Sequence, residues 1–488
     1  MLYSPARKRF RHQLSPPSPR LKHLMDHPSE DFFQVSNRLT RSQSPTLQLT
    51  SQSRSASFSL HHATTAECDN VDKVIFDMLP DDILPELFHI YLNGDKMTQG
   101  WHTLIHVCRR WRYIIFASPR VLDLRLLCTI STPVKARLAI WPAFPIAIIG
   151  RVDSTSLEVV ADNIIAALEH KDRVWRIDLQ CIPNSLMGRI AAAMGEPFPL
   201  LTDLSLHAMA PVLPDSFLGG SVPGLQSLRL TSVPFPALRK FLPTAIHLVF
   251  LELWDVPHSG YISPSVMATC LSALARLEEL QLGFRSPQSR PDRANQRPPS
   301  QTRLILPALS RLQFKGVGEY LEDLVGQIGA PLLNDIWIVF FHQLIFDTPQ
   351  LRRFLSRTNG FKVHARVNVH FCGDFVRVSL YSQTYTSSSR EVTLLIKCKD
   401  IDWQLSSVAQ LCRSSLPSLS TVQHLNLYGG PFRPHPLDNL EVTQWLELLQ
   451  PFTAVKTLYI CDKLAPNVAP ALQTFLRAEE ADVLLALE

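Results

Sequence analysis

Residues 225–230 read LQSLRL, and the same arrangement returns at 248–253 as LVFLEL and at 277–282 as LEELQL. Apolar residues stand at the first, fourth and sixth positions of each copy. Alternation of apolar and polar residues toward the end of a copy predicts a short strand with one face in the core. Six further copies fit with apolar replacements: VWRIDL (174–179), LLTDLSL (200–206), LSRLQF (309–314), LNDIWI (333–338), VQHLNL (422–427) and VKTLYI (455–460).

The copies are regularly spaced, and segments with helical periodicity lie between them. Successive copies start 23 to 33 residues apart, except after residue 338, and PSVMATCLSAL (264–274) and TPQLRRFLSRT (348–358) are two of the intervening helical patterns. A strand plus a helix at this period is the signature of leucine-rich repeats, which stack into a solenoid. We therefore expect an α/β fold with a curved, mostly parallel sheet and outer helices.

Two features predict that this solenoid is irregular. Regular repeats place Asn or Cys three residues after the strand. Other residues stand at that position here: Met209, Val233, Val256, Val317 and Phe341. In addition, residues 361–371, 374–382 and 391–398 alternate apolar and polar residues, which predicts three strands that extend the same sheet, the first two as a hairpin. Helical spacing returns at 405–416, 439–452 and in the C-terminal segment 469–488.

The N-terminal part of the chain has a different pattern. In LPDDILPELFHIYL (79–92), Asp81 or Asp82 is placed to cap a helix, and Pro85 falls in its first turn, where proline costs little. An apolar stripe runs along this helix through Ile83, Leu84, Leu87, Phe88 and Tyr91. A second helix is predicted from Trp101 to Ile115, followed by a short extended piece at 122–126. A unit of about fifty residues is small for an independent core, so we expect it to pack against a partner.

These residues resemble an F-box domain of the divergent F-box-like type found in mushroom-forming fungi. The resemblance rests on Leu79-Pro80, the apolar stripe, HVCRRWR (106–112) and SPRVLDLRL (118–126), and it covers about a tenth of the chain. One departure is that Val121 and Leu122 stand where the family often has a Trp after Ser-Pro-x. The resemblance implies docking on the Skp adaptor of a cullin–RING ubiquitin ligase. The implied adaptor-binding residues are Leu79, Pro80, Ile83, Leu84, Leu87, Phe88, Val107, Cys108, Trp111 and Ile115.

The function expected from this resemblance is that of a substrate receptor in an SCF-type (Skp–cullin–F-box) ligase, with the repeats capturing an unknown protein target. Residues between the core positions of each strand point to the opposite sheet face, which is the expected target-binding surface. The target-binding residues predicted on this face are Arg229, Glu252, Trp254, Gln281, Gln313, Trp337, Tyr428 and Tyr459. Two alternatives stay open: a non-catalytic repeat scaffold outside any ligase, and an N-terminal hairpin that is only part of a larger core.

Composition and charge divide the chain into four parts. Residues 1–72 form a basic tail rich in Ser, Pro and Arg that we expect to be disordered, as is the Arg-rich loop 285–303. Residues 73–126 are the F-box-like helical domain, 127–172 a linker or the start of the solenoid, and 173–488 the repeats. Nucleic-acid binding by the basic tail is disfavoured, whereas ARKRFRH (6–12) leaves nuclear import open.

No enzyme motif is found, and we expect neither catalytic residues nor a cofactor. The nine cysteines are scattered without a Cys-x-x-Cys pair, which predicts reduced thiols in the cytoplasm or nucleus. His102 and His106 lie on the predicted second helix and are interpreted as ordinary helix residues, not metal ligands. The apolar segment LAIWPAFPIAIIG (138–150) is short and contains two prolines, so no membrane span is expected.

Overall fold

A computed structural model describes much of the chain from Leu79 onward, and the described residues belong to one unit, Leu79–Glu488. They are residues 79–94, 104–117, 124–141, 143–151, 157–208, 212–287, 303–341, 346, 348–361, 363–382, 391–398, 400–417, 419–430 and 442–478. The predicted tail 1–72, most of the loop 285–303, Trp101, His102 and Met209 lie outside the described residues.

The fold is α/β and is built on one large, mostly parallel sheet. Its strands, with a separate pair formed by β8 and β10, are β1 Leu124–Cys128, β2 Ile146–Arg151, β3 Val174–Ile182, β4 Asp203–Ala208, β5 Ser227–Thr231, β6 Phe250–Val256, β7 Glu279–Phe284, β8 Leu304–Ile305, β9 Arg311–Gly316, β10 Ile328–Gly329, β11 Asp335–Phe340, β12 Arg366–Phe371, β13 Phe375–Tyr381, β14 Glu391–Lys397, β15 His424–Gly429 and β16 Thr457–Ile460. All nine predicted copies coincide with strands of the large sheet.

The strands are aligned so that the apolar positions of the copies form two rows across the sheet. The fourth position of each copy falls in one row, and the sixth position falls in the other. Leu228, Leu251 and Leu280 are buried neighbours in the first row. Because each such side chain stabilises the folded state by about 1.5–3 kcal/mol, this alignment fixes which face of the sheet is the core.

Helices cover the core face of the sheet. They are α1 Ile83–Gly94, α2 Arg109–Ala117, α3 Val134–Ile140, α4 Leu157–Leu168, α5 Asn184–Ala193, α6 Leu238–Phe241, α7 Pro264–Leu271, α8 Gly318–Gln327, α9 Pro349–Arg357, α10 Ile401–Ser414, α11 Val442–Leu449 and α12 Ala465–Ala478. The described part of the β4–β5 connection carries only a short 3-10 turn, Phe217–Gly220, whereas the β6–β7 connection carries the 3-10 turn His258–Gly260 before α7, so the helical layer is uneven. Among the described residues, no helix is long and apolar enough to cross a membrane.

Apolar packing replaces the asparagine ladder after the strands. Val233 and Val256 are buried at the positions where regular repeats carry Asn. Beneath the neighbouring turns, Phe235 and Phe241 pack with their ring centroids 5.2 Å apart. Side-chain packing, not a row of buried amides, therefore holds these turns in the described part of the chain.

The three strands predicted within 361–400 are confirmed. β12, β13 and β14 form an antiparallel meander that enters the large sheet in reverse order, between β11 and β15. The first pair is a hairpin, closed where the Cys372 N–H donates to the Phe375 carbonyl at 2.9 Å. Gln404 of α10 donates from Nε2 to the carbonyls of Cys372 (2.7 Å) and Cys398 (2.8 Å), which ties the covering helix to the β12–β13 turn and to the end of β14.

The sheet begins at the end of the range assigned to the F-box-like domain. β1 starts inside that range and ends just past it, and β2 lies inside 127–172, the range predicted as a linker or the start of the solenoid. The predicted second helix is wrong in extent, because the chain turns at His106–Val107 and α2 starts at Arg109. The Trp111 N–H donates to the Cys108 sulfur at 3.4 Å, so a thiol caps the restarted helix.

A buried carboxylate caps helix α9 from the neighbouring helix α8. Glu322 accepts from the backbone N–H groups of Gln350 (2.8 Å) and Leu351 (2.7 Å), donors that have no partner within their own helix. We expect Glu322→Ala to lower the free energy of unfolding by about 2 kcal/mol, and Glu322→Gln by about half of that, because the amide keeps one acceptor oxygen.

Urea denaturation measures this effect, with Glu319→Ala as the control. Glu319 lies on the same helix but is exposed, so its replacement removes the same charge without removing a cap. Equal losses in Glu319→Ala and Glu322→Ala would contradict the capping role.

Candidate functional site

The first candidate surface lies on the helical hairpin formed by α1 and α2. Leu84, Ile114 and Ile115 are buried, and the rings of Phe88 and Trp111 pack at 4.8 Å between centroids. Apolar packing therefore accounts for one side of α1.

Arg110 ties α2 back to the start of α1. Its Nε donates to the Asp81 carboxylate at 2.9 Å, and its guanidinium also bonds to the Leu79 carbonyl. The arginine and the tryptophan of the VCRRWR motif thus hold the hairpin together.

The adjoining side of α1 is apolar and exposed. Ile83, Leu87, Ile90 and Tyr91 keep exposed fractions of 44, 39, 68 and 52 %. Their spacing of four, three and one residues places them on one stripe of the helix, which we call the α1 stripe. A contiguous apolar stripe left on a surface is a feature of protein-binding helices.

The ten predicted adaptor-binding residues divide between these two sides. Leu84, Phe88 and Ile115 are buried inside the hairpin, and Leu79, Cys108 and Trp111 are partly buried. The exposed members are Pro80, Ile83, Leu87 and Val107. Sequence reasoning left Ile90 out of the set, although it lies four residues before the helix end and three after Leu87 on the same stripe.

The second candidate surface is the sheet face opposite the core. Predicted residues Arg229, Glu252, Gln281, Gln313 and Trp337 occupy one row on five neighbouring strands. Neighbouring strands lie about 4.8 Å apart, so this row is a continuous strip of polar side chains that ends at a tryptophan. Farther along, the row continues to Tyr459, which is exposed.

The ring of Trp254 is buried, unlike the side chains of the polar row. The strand bulges between Leu253 and Val256, and Trp254 is only 6 % exposed. Its ring covers Gly283 on the next strand, where an added Cβ would stand 2.7 Å from a ring atom. The Lys315 Nζ lies 5.6 Å from the ring centroid and 2.6 Å from Asp255 Oδ1, so the tryptophan supports a cation–carboxylate pair.

Tyr428 belongs to an aromatic group at the far end of the face. Its ring stacks on His370 at 4.3 Å and lies 5.4 Å from Tyr459. His370 was missed because it belongs to the meander, whose place in the sheet the repeat pattern does not give. The structure thus brings Tyr428 and Tyr459 together, as a group separated by several strands from Trp337.

Electrostatics single out Asp335 on this face. Arg311 pairs with Glu279 at 2.9 Å, whereas the Asp335 carboxylate makes no hydrogen bond or ion pair with any described residue. Its directly opposite neighbour on β14 is Glu391, a like charge. Burial first, and then the charge of Glu391, raises the pKa of Asp335 to about 6, with Arg311 opposing the shift.

A partly buried carboxylate beside a like charge breaks the usual rules of polar pairing, and such local departures are often found at functional sites. The part of the chain that the structure describes has no group of three or more His, Cys, Asp or Glu side chains that could hold a metal ion. Comparison with known proteins gives no match, either to a family model or to a curated protein.

Proposed function

We propose that this chain is the substrate-receptor subunit of an SCF-type ubiquitin ligase. The observation that carries the proposal is the α1 stripe, which stays exposed beside a hairpin packed through the Trp and Arg of the F-box-like motif. In this proposal a Skp-type adaptor covers Ile83, Leu87 and Ile90 and links the chain to a cullin–RING ligase. The expected site of action is the cytoplasm or the nucleus.

The repeats supply the target-binding part of the proposal. The periodic copies and the large, mostly parallel sheet support an irregular leucine-rich-repeat solenoid. The polar row from Arg229 to Trp337 is the surface we propose for the protein target, because aromatic and Arg side chains among polar groups favour binding hot spots. Trp337 replaces Trp254 as the proposed aromatic anchor of this surface, since Trp254 is buried.

The proposed receptor has no catalytic group of its own. It acts by positioning, because holding a target beside a charged ubiquitin-carrying enzyme raises the effective concentration of the acceptor lysine. Neither a cofactor nor a membrane enters this role.

Co-purification with a Skp adaptor tests the proposal. The full chain and the adaptor, expressed together, should elute from size-exclusion chromatography as a complex of equal stoichiometry. Separate elution at micromolar concentrations would reject the ligase role and favour the alternative, a repeat scaffold that does not assemble into a ligase.

A further inference from the structure

A cleft of about 360 Å³ opens in the helical layer, on the other side of the sheet from the polar row. Helices α8 and α9 pack against each other, as do α10 and α11, and the cleft lies between these two pairs. The helix α10 that forms one wall of the cleft packs on strand β13 of the meander.

Two guanidinium groups line this cleft from different helices. Arg352 comes from α9 and Arg413 from the last turn of α10, and Gln450 lies beside them. Arg413 bonds to the Gln450 side-chain oxygen at 2.9 Å and lies 3.8 Å from Glu447, whereas the Arg352 guanidinium has no carboxylate partner among the described residues. None of the residues that line the cleft is acidic.

The surroundings add positive charge. Arg353 and Arg357 lie on the same helix as Arg352, and Arg303 lies near Arg357. Burial lowers the pKa of Arg357, and the charges of Arg303 and Arg353 lower it further. The C-terminal ends of α10 and α11 border the cleft with their partial negative charge, and Arg413 offsets it because it stands in the last turn of α10. The positive charge of Arg352 therefore remains available to an anionic ligand.

We propose that this cleft binds a small organic phosphate. Phosphate oxygens accept hydrogen bonds from guanidinium groups, and the negative charge of a phosphate complements the positive charge of Arg352, which has no carboxylate partner among the described residues. The remaining walls are apolar, formed by Leu416, Pro417, Leu419 and Pro451, and would contact an aliphatic body attached to the phosphate. Apolar walls with a few convergent polar groups, in a volume of this size, are typical of small-molecule sites.

The lining also separates this ligand class from others. No aromatic ring lines the cleft, so it lacks the stacking platform on which single-stranded nucleic acids bind. Inorganic phosphate alone would leave most of the apolar wall unfilled. An aliphatic phosphate ester satisfies both parts of the lining.

Isothermal titration calorimetry with the full chain tests the site, with n-butyl phosphate as the probe. We expect saturable binding with a Kd at or below about 1 mM. Inorganic phosphate should bind more weakly because it lacks the aliphatic body, and n-butyl sulfate should bind at least about tenfold more weakly because it carries a single charge.

Arg352→Gln should weaken butyl phosphate binding at least about tenfold, because it removes one of the two guanidiniums. Arg353→Gln is the matched control: it removes the same charge from the next residue of the same helix, outside the cleft, and should change the Kd less than about twofold. Thermal unfolding of both variants should match the wild type, because neither side chain makes a hydrogen bond or ion pair within the described structure.

Three results would overturn the proposal. The first is an absence of saturable butyl phosphate binding by the wild type. The second is an equal loss of affinity in Arg353→Gln and Arg352→Gln, which would indicate general attraction to a basic surface. The third is a phosphoserine peptide or an oligonucleotide that binds at this site at least tenfold more tightly than butyl phosphate.

Discussion

Replacing Ile83 and Leu87 together with aspartate should weaken binding of the chain to a Skp adaptor at least about 100-fold, or about 3 kcal/mol. Both side chains lie on the α1 stripe and keep about two fifths of their surface exposed, which a partner helix would bury. The variant loses the apolar contact and forces two carboxylates into an apolar interface. The stability of the chain should change little, because the buried side of the hairpin is untouched.

Surface aspartates elsewhere control for the added charge. Val159 and Leu200 are exposed to the same extent as the two stripe residues, at 45 and 44 %. The double variant Val159→Asp, Leu200→Asp should keep adaptor affinity within about twofold. Wild-type affinity in the stripe variant, measured by surface plasmon resonance against immobilised adaptor, would remove the α1 stripe from the docking surface.

Leu84 is not a useful probe of docking, although the sequence places it in the apolar stripe. It is fully buried, so aspartate there would unpack the hairpin and abolish binding whichever surface the adaptor contacts. The sequence shows an apolar helix with two faces. It does not show which face the second helix covers, since that depends on where α2 begins. Cys108 caps α2 through sulfur, and cysteine is not among the residues that mark a helix start.

The sheet was predictable because each copy carries its own register. Apolar residues at the fourth and sixth positions must face one side, and parallel stacking then aligns them with the next copy. The same logic predicted the polar row from Arg229 to Trp337. The first strand was predicted as a short extended piece and not as a repeat copy, although Val121, Leu124 and Leu126 fit the pattern, because the F-box resemblance had already accounted for these residues. In the second strand Ala143 takes the first apolar position, and the pattern is correspondingly weak.

Trp254 shows what a periodic pattern leaves out. The bulge after Leu253 changes the local register, and Asp255 adopts a left-handed φ of 49° that is uncommon for a residue with a Cβ. Nothing in LVFLELWDV marks such a bulge. The signal lies on the next strand, where Gly283 stands inside an apolar run, since a glycine in a strand interior often marks the close approach of another group.

The second large effect concerns pH, because Asp335 and His364 titrate in the same range with opposite consequences. The pKa of Asp335 is raised from 3.8 to about 6, so the folded state holds a proton that the unfolded chain releases, and stability falls as pH rises from 4 to 6. Burial lowers the pKa of His364 from 6.5 to about 4, with a weak opposing interaction from the Phe361 backbone. The unfolded chain therefore binds the histidine proton first, and stability falls as pH drops from 6.5 to 4.

Each shift corresponds to about 3 kcal/mol of stability. Because stability falls with rising pH through Asp335 and with falling pH through His364, the two pH dependences nearly cancel in the wild type. His364 is completely buried, and neither ring nitrogen has a hydrogen-bond partner of normal geometry in the described structure, so His364→Leu should cost little at pH 7. At pH 4 the same variant should be about 3 kcal/mol more stable than the wild type. Asp335→Asn should behave in the opposite way, with a gain of about 2–3 kcal/mol at pH 7 that disappears at pH 4.

Urea denaturation of the wild type, both single variants and the double variant between pH 4 and pH 7 measures these effects as differences at each pH, so groups common to all four proteins drop out. The double variant should show the sum of the two single effects, because Asp335 lies in β11 and His364 lies just before β12, and these two strands are not neighbours in the sheet. A stability of Asp335→Asn equal to that of the wild type at pH 7 would mean that Asp335 is not destabilising. That result would contradict the view that the Asp335 carboxylate is kept on the polar face at a cost in stability. The expected gain, by contrast, would show that the ionised Asp335 carboxylate destabilises the free protein, first through its burial and then through the charge of Glu391.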